Sequence, residues 1–155
     1  MANNDMSAAE QSSWIRSYVD AWNAHDVPAV LTLMTDDVVW VDQTLGERVE
    51  GAEAVREFLG TLETTLSSDF QMEAGQSVWD ERAYAFEWTL SGTNDRADPQ
   101  HGLPVTGRHF TIPGVSIGVL RDGMIAMNKD YWNLAGYLMQ VGLMPTPEAA
   151  AQPTA

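Results

Sequence analysis

Asp122-Gly123-Met124-Ile125-Ala126-Met127-Asn128-Lys129-Asp130-Tyr131-Trp132-Asn133 is the stretch from which the rest of this chain can be read. Asp122-Gly123 is a turn dipeptide, and Met124–Trp132 behind it reads as a strand. Strand alternation puts Asn128, Asp130 and Trp132 on one face and Met127, Lys129 and Tyr131 on the other. A carboxylate between an amide and an indole is an odd filling for an inward face, because an unpaired buried charge is costly. Such a group is kept where a reaction needs its proton affinity. The plainer alternative is a solvent-facing Asp, or one paired with Lys or Arg.

Working outward, Asp122-Gly123 joins this strand to another over 115–121. Further strands are expected over 107–112, 83–91 and 70–79, with Asp80-Glu81-Arg82 closing a second hairpin. The loop from Thr93 to Pro104 is long for a compact domain, and such loops are more often functional than idle. Ahead of the strands the spacing is helical. Ser7-Ala8-Ala9-Glu10 fits a capping box, and Trp14, Ile15, Tyr18, Val19 and Trp22 predict a first helix ending near Asn23 or Ala24. Asp26 caps a short second helix with Pro28 in its first turn. Asp36-Asp37 interrupts the pattern, 38–42 reads as a strand, and 45–50 as a polar crossing. Gly51 leads into a third helix with the stripe Val55, Phe58, Leu59, Leu62 and Leu66. A closing helix is expected over 134–141, ended by Gly142. Residues 1–7 and 144–155 are expected to be disordered, which leaves a single domain over 8–143. Three helices followed by a curved antiparallel sheet is an α+β pattern. The helices can cover only one face of such a sheet, so helices and concave face enclose a cone, the natural pocket.

The 155 residues include no cysteine, which removes a disulfide framework, a thiolate nucleophile and a thiolate metal site. With 22 acidic residues against 8 basic ones the formal charge is −14. That is the opposite of the basic footprint that nucleic acid or an anionic membrane demands. No apolar run approaches the roughly 18 residues of a membrane span. The amino terminus lacks the basic start of a signal peptide, so the expected location is the cytoplasm. Six Trp, four Tyr and four Phe point to a heavy core or to an aromatic-lined pocket for a flat, apolar molecule. His25 and His101 read as loop residues without ligand-type spacing to Asp or Glu, and neither a metal nor a cofactor is expected.

Three segments carry a resemblance to a known family. The first runs from Tyr18-Val19-Asp20-Ala21-Trp22-Asn23-Ala24-His25-Asp26 through Thr35-Asp36-Asp37-Val38-Val39-Trp40. The second is Val49-Glu50-Gly51-Ala52-Glu53-Ala54-Val55-Arg56-Glu57-Phe58, and the third runs from Thr106-Gly107-Arg108 to Asp130-Tyr131-Trp132-Asn133. On these, the chain from Trp14 to Leu143 resembles the superfamily that shares the cone-shaped fold of nuclear transport factor 2. It looks closest to the branch of SnoaL-type polyketide cyclases, steroid Δ-isomerases and limonene epoxide hydrolases. Tyr18 and Asp42 match the oxyanion-donating Tyr and the base Asp of the isomerases, whose second oxyanion acid falls at or near Ser116, which cannot replace a protonated carboxyl. Asp130 matches the acid/base Asp of the cyclases and the water-activating Asp of the hydrolases. Those hydrolases also use an Arg and a second Asp on the strand written here as Tyr84-Ala85-Phe86-Glu87-Trp88-Thr89-Leu90, where neither stands. The resemblance further implies a homodimer joined through the convex sheet face, with Tyr84 or Val119 in the interface.

A carboxylate in an apolar cone has its charged form disfavoured, so its pKa rises towards the working pH. That suits a general base for a proton on carbon next to a carbonyl, or a general acid for a leaving oxygen. Asp130 is the first candidate. Asp42 is either a second carboxylate of the site or a cap for Gln43-Thr44, and Tyr18 either a hydroxyl donor or a core aromatic. His109 alternates with Phe110, so only one of the two faces the pocket. Trp40, Phe58, Phe86, Trp88, Met127 and Trp132 are candidates for the substrate-binding wall, and Asn128 for bonding a substrate carbonyl or orienting Asp130. The expectation is a cofactor-independent acid–base enzyme acting on a hydrophobic cyclic or aromatic small molecule. Its reaction would be aldol-type cyclisation, retro-aldol cleavage, dehydration or isomerisation through an enolate-like intermediate. Two alternatives stand beside it: epoxide opening with an altered triad, and non-catalytic carriage of an apolar ligand.

Overall fold

Ser7 opens the first helix as a capping box requires: its Oγ accepts from Glu10 N at 3.3 Å, and the Glu10 carboxylate accepts from Ser7 N at 2.7 Å. The structure, a computed structural model, describes residues 7–150; the disorder expected for 1–6 and 151–155 lies outside the described residues. Helix α1 (Ala8–Asn23) is followed by α2 (Val27–Leu31), where Asp26 Oδ1 accepts from Ala29 N at 3.0 Å. Then come β1 (Met34–Asp42), β2 (Glu47–Glu50), α3 (Ala52–Thr65), β3 (Gln71–Trp79), β4 (Ala83–Thr93), β5 (His109–Arg121), β6 (Met124–Trp132), α4 (Leu134–Gln140) and α5 (Pro147–Ala150). The last is a single helical turn inside the segment expected to be a disordered tail.

The six strands form one sheet in the order β2-β1-β6-β5-β4-β3, with α1 packed on β3, α3 on β1 and α4 on β5. Two features of this sheet depart from the sequence reading. The β1–β6 pair is parallel, so the sheet is mixed rather than antiparallel. The chain leaves β1 and returns alongside it only after α3 and four strands, and a crossover of that length permits a parallel neighbour. Residues 47–50, read as a polar crossing, pair with β1 from Asp42↔Glu47 to Val39↔Glu50. An edge strand of charged residues has no apolar alternation to announce it.

Smaller differences have local causes. β1 begins at Met34 because Asp36 and Asp37 fall where the register steps from Met34↔Ile125 to Val39↔Met127, an irregularity that absorbs a polar pair. The strands expected over 107–112 and 115–121 are one strand, β5, running through Pro113. Pro113 lies just beyond Gly114↔Trp132, the last pair with β6, so its missing N–H removes no bond to that neighbour.

Register sets what faces the cone. One row across the sheet is Trp40–Asn128–Gly118–Tyr84–Trp79, and the next is Asp42–Asp130–Ser116–Phe86–Ser77. A third is Trp132–Gly114–Trp88–Ala74. The small residues Gly114, Ser116 and Gly118 alternate along β5 opposite Trp88, Phe86 and Tyr84. This placement is forced: a Cβ on Gly118 would fall inside the Tyr84 ring, and one on Gly114 inside the Trp88 ring. Tyr84 therefore points inward, 2% exposed, and not to the convex face where a dimer contact was expected. Replacing Gly118 with Ala should destabilise the fold by roughly 1–3 kcal/mol, the usual cost of overpacking. A lowered midpoint in urea unfolding checks this, and an unchanged midpoint contradicts the packing described here.

Candidate active site

Between the concave face and the helices lies a cavity of about 320 Å³. That is the lower end of the range in which small-molecule sites fall. Asp130 from β6 and Asp42 from β1, partners in the parallel register, both line it, as do Tyr18 and Trp22 from α1 and Phe58 from α3. Trp40, Trp88 and Trp132 supply aromatic wall from the sheet. Among the described residues no Lys or Arg side chain lines the cavity, and no group of three or more His, Asp or Glu could hold a metal ion.

The two carboxylates have different surroundings. Asp130 Oδ1 accepts from Ser116 Oγ at 2.6 Å and from Asn128 Nδ2 at 2.8 Å. Ser116 in turn accepts from Trp88 Nε1 at 2.9 Å, and Asn128 Oδ1 accepts from the Tyr84 hydroxyl at 2.6 Å. Every donor in this network is neutral. Burial raises the Asp130 pKa from the ordinary 3.8 to about 7; the Ser116 and Asn128 bonds pull it back, and the nearby Asp42 charge adds to the rise. Asp42, by contrast, accepts three hydrogen bonds: Oδ1 from Thr44 N and Leu45 N, both at 2.9 Å, and Oδ2 from Trp132 Nε1 at 3.0 Å. It caps the turn after β1 and holds the Trp132 indole.

Tyr18 is 1% exposed and stacks on Trp14 at 5.2 Å. Burial first, then the Asp130 charge, hold its hydroxyl well above the ordinary tyrosine pKa, so it stays protonated and able to donate. The Trp22 indole N–H approaches that hydroxyl without completing a hydrogen bond.

Other sequence-predicted site residues lie elsewhere. His109 is exposed at the start of β5, and its neighbour Phe110 takes the inward place at 0% exposed. Phe86 packs edge-on against Tyr18 at 5.6 Å, supporting the wall from behind. Asn128, fully buried, meets Asp130 and Tyr84 instead of the open cavity. Met127 is on the opposite face from Asn128, outside the cavity lining. Glu87 is exposed, so an epoxide-opening triad that drew on it has no second carboxylate in the cavity from β4.

Sequence reasoning missed one part of the lining. Asp98, Pro99, Gln100, His101 and Leu103 from the connection between β4 and β5 line the cavity, as does Glu47 from β2. His101, read as a loop residue without ligand-type spacing, has Nδ1 2.6 Å from Asp98 Oδ2 and Nε2 3.2 Å from Glu47 Oε1. The only signal of it was the length of the loop.

A family model of the SnoaL-like domain matches residues 15–128. The chain belongs to the SnoaL-like family. No curated protein matches the sequence significantly. A candidate SnoaL-like polyketide cyclase of Jannaschia sp. CCS1 is 19% identical with a TM-score of 0.75, over 92% of this chain and 99% of that one. A candidate polyketide cyclase of Pseudomonas putida KT2440 is 27% identical with a TM-score of 0.67, over 87% and 98% of the two chains. AclR, a candidate hydroxylase of Streptomyces galilaeus, is 24% identical with a TM-score of 0.72, over 90% and 89%. The SnoaL-like assignment and the cone agree, and the names of these neighbours span more than one reaction.

Asp130 has a thermodynamic signature. A carboxyl whose folded pKa is raised favours the folded state only at low pH, an advantage lost as pH rises from 3.8 through about 7. Asp130→Asn removes this penalty. The variant should melt above the wild type at about pH 8, with the difference shrinking towards about pH 5. Equal melting temperatures at both pH values would place the carboxylate in ordinary surroundings.

Proposed function

We propose that the chain is an acid–base enzyme whose general base is Asp130 and whose substrate is a hydrophobic cyclic or aromatic carbonyl compound. The observation that carries this reading is a half-buried carboxyl in an aromatic cavity that, among the described residues, no Lys or Arg lines, bonded by neutral donors, surroundings that push its pKa up to about 7. Near neutral pH such a group both accepts and returns a proton, the condition for efficient general acid–base catalysis.

In the proposed step Asp130 takes the proton from the carbon next to the carbonyl. The C–H electron pair forms the carbon–carbon double bond of the enolate, and the carbonyl π pair moves onto the oxygen, which takes the charge. Tyr18, kept protonated by its surroundings, donates a hydrogen bond to that oxygen. Ser116 and Asn128 hold the Asp130 carboxyl in place, and Asp42 positions the Trp132 wall. Returning the proton to another atom is isomerisation; attack of the enolate carbon on a second carbonyl is aldol-type closure. The SnoaL-like family and its cyclase-named neighbours support this class of reaction.

Exchange at carbon tests the reading without the natural substrate. The protein should catalyse deuterium uptake next to the carbonyl of 2-tetralone, a flat cyclic ketone, with a rate that rises with pH and levels off above about 7. Asp130→Asn should slow exchange roughly a hundredfold or more, the weight of a general base, and Tyr18→Phe should slow it less. Exchange as fast in Asp130→Asn as in the wild type sinks the assignment; tight binding of the ketone with no exchange favours carriage of an apolar ligand.

We also propose a homodimer through the convex face, where Ile117 and Val119 stand 46% and 48% exposed beside Tyr131. Light scattering at micromolar concentration should give about twice the 17.1 kDa of the chain. A monomer mass contradicts it.

A further inference from the structure

The hydrogen bonds of the connection between β4 and β5 divide it into an anchored base and a tip. At the base Asn94, 1% exposed, donates from Nδ2 to the Tyr137 hydroxyl at 2.7 Å and accepts at Oδ1 from Thr106 N at 2.6 Å. Both ends of the loop are thereby tied to α4. At the tip Asp98 and Leu103 exchange two backbone hydrogen bonds of 2.8 Å, closing a turn in which Gly102 takes a φ of 68°. Asp98, Pro99, Gln100, His101 and Leu103 of this tip line the cavity, and the tip reaches β2. Gln100 Nε2 donates to Glu47 Oε1 at 2.6 Å, and the His101 ring lies between that same oxygen and Asp98.

We propose that His101, charged and clasped between Asp98 and Glu47, latches this loop as a lid over the cavity, so that ligand entry quickens as pH rises and the ring loses its proton. The chemistry is a matter of donors. The imidazolium has two N–H groups and meets one carboxylate with each; the neutral ring has one, so one carboxylate loses its bond to the ring. The charged groups facing the ring are Asp98 from its own loop and Glu47 from β2. The Asp98 hydrogen bond does most to raise the His101 pKa above 6.5, burial opposes it, and Glu47 adds to the rise. Arg48, next on β2, is paired with Glu50 at 2.7 Å. A group whose folded pKa is raised contributes its full stabilisation below the unfolded value and loses it as pH rises through the folded one. The latch is therefore closed on the acid side and opens towards alkali. It operates whether the cavity turns its ligand over or only holds it, and so stands apart from the acid–base reading.

Stopped-flow binding of Prodan, an uncharged aromatic ketone whose emission reports polarity, tests the lid in the full chain. From about pH 6 to about pH 9 the wild-type association rate should rise roughly fivefold along one titration, the factor equal to about 1 kcal/mol. His101→Asn should associate fast with no titration. Glu47→Gln, which keeps a polar partner but removes its charge, should shift the midpoint to lower pH, and it decides the matter should His101→Asn fail to fold. The titration should persist in Asp130→Asn, which separates the latch from the titration of Asp130. A pH-independent wild-type rate, a wild-type titration in His101→Asn, or its loss in Asp130→Asn overturns the proposal.

Discussion

Among the described residues no Lys or Arg lines the cavity that holds the Asp130 carboxylate, so neutral dipoles meet its charge: the Ser116 hydroxyl, the Asn128 amide and the Trp40 indole. Neutral donors recover part of the solvation that burial removes and leave the rest as a raised pKa. A cation in their place would restore an ordinary carboxylate, and a purely apolar wall would drive the group to permanent neutrality. The intermediate case is what allows one side chain to accept and donate a proton near neutral pH.

Much of the surrounding architecture serves this arrangement. Gly114, Ser116 and Gly118 leave room on β5 for the large side chains of β4 to lie flat across it. Only with the Tyr84 ring over Gly118 does its hydroxyl reach Asn128, and only with the Trp88 ring over Gly114 does its indole reach Ser116. Backbone compactness on one strand is thus converted into the orientation of a carboxyl on the next. The second carboxylate is spent differently. Asp42 closes the turn after β1 and holds Trp132, a structural task that makes it a source of repulsive potential for Asp130 and leaves its own oxygens occupied.

Helices α1 to α4, the hairpin at Asp122-Gly123 and the inward face of β6 were legible in the sequence because each rests on local periodicity or turn chemistry. The parallel β1–β6 pair was not, since strand direction depends on a crossover and leaves no periodic trace. β2 was invisible for another reason: Arg48, Glu47 and Glu50 are what an edge strand needs and what a polar loop looks like. Within the site, Asp130, Asp42, Tyr18 and the tryptophans of the wall could be picked out from alternation and resemblance. His109 could not be separated from Phe110 by alternation alone, and the apolar side chain won the buried place. Tyr84 pointed inward because of glycines on another strand, a relation that register creates and composition does not show. His101 was overlooked because its partners, Asp98 and Glu47, come together only when the loop folds over β2.

The raised pKa of Asp130 follows from the desolvation of a half-buried carboxyl held among neutral donors. Carbon-13 labelling of the aspartate carboxyls, with assignment by the Asp130→Asn variant, reads its titration directly by NMR. A midpoint near 7 that rises further in Ser116→Ala, where a lowering hydrogen bond is lost, is the result predicted. A midpoint near the ordinary ~3.9 of an exposed aspartate, indifferent to Ser116, would contradict it.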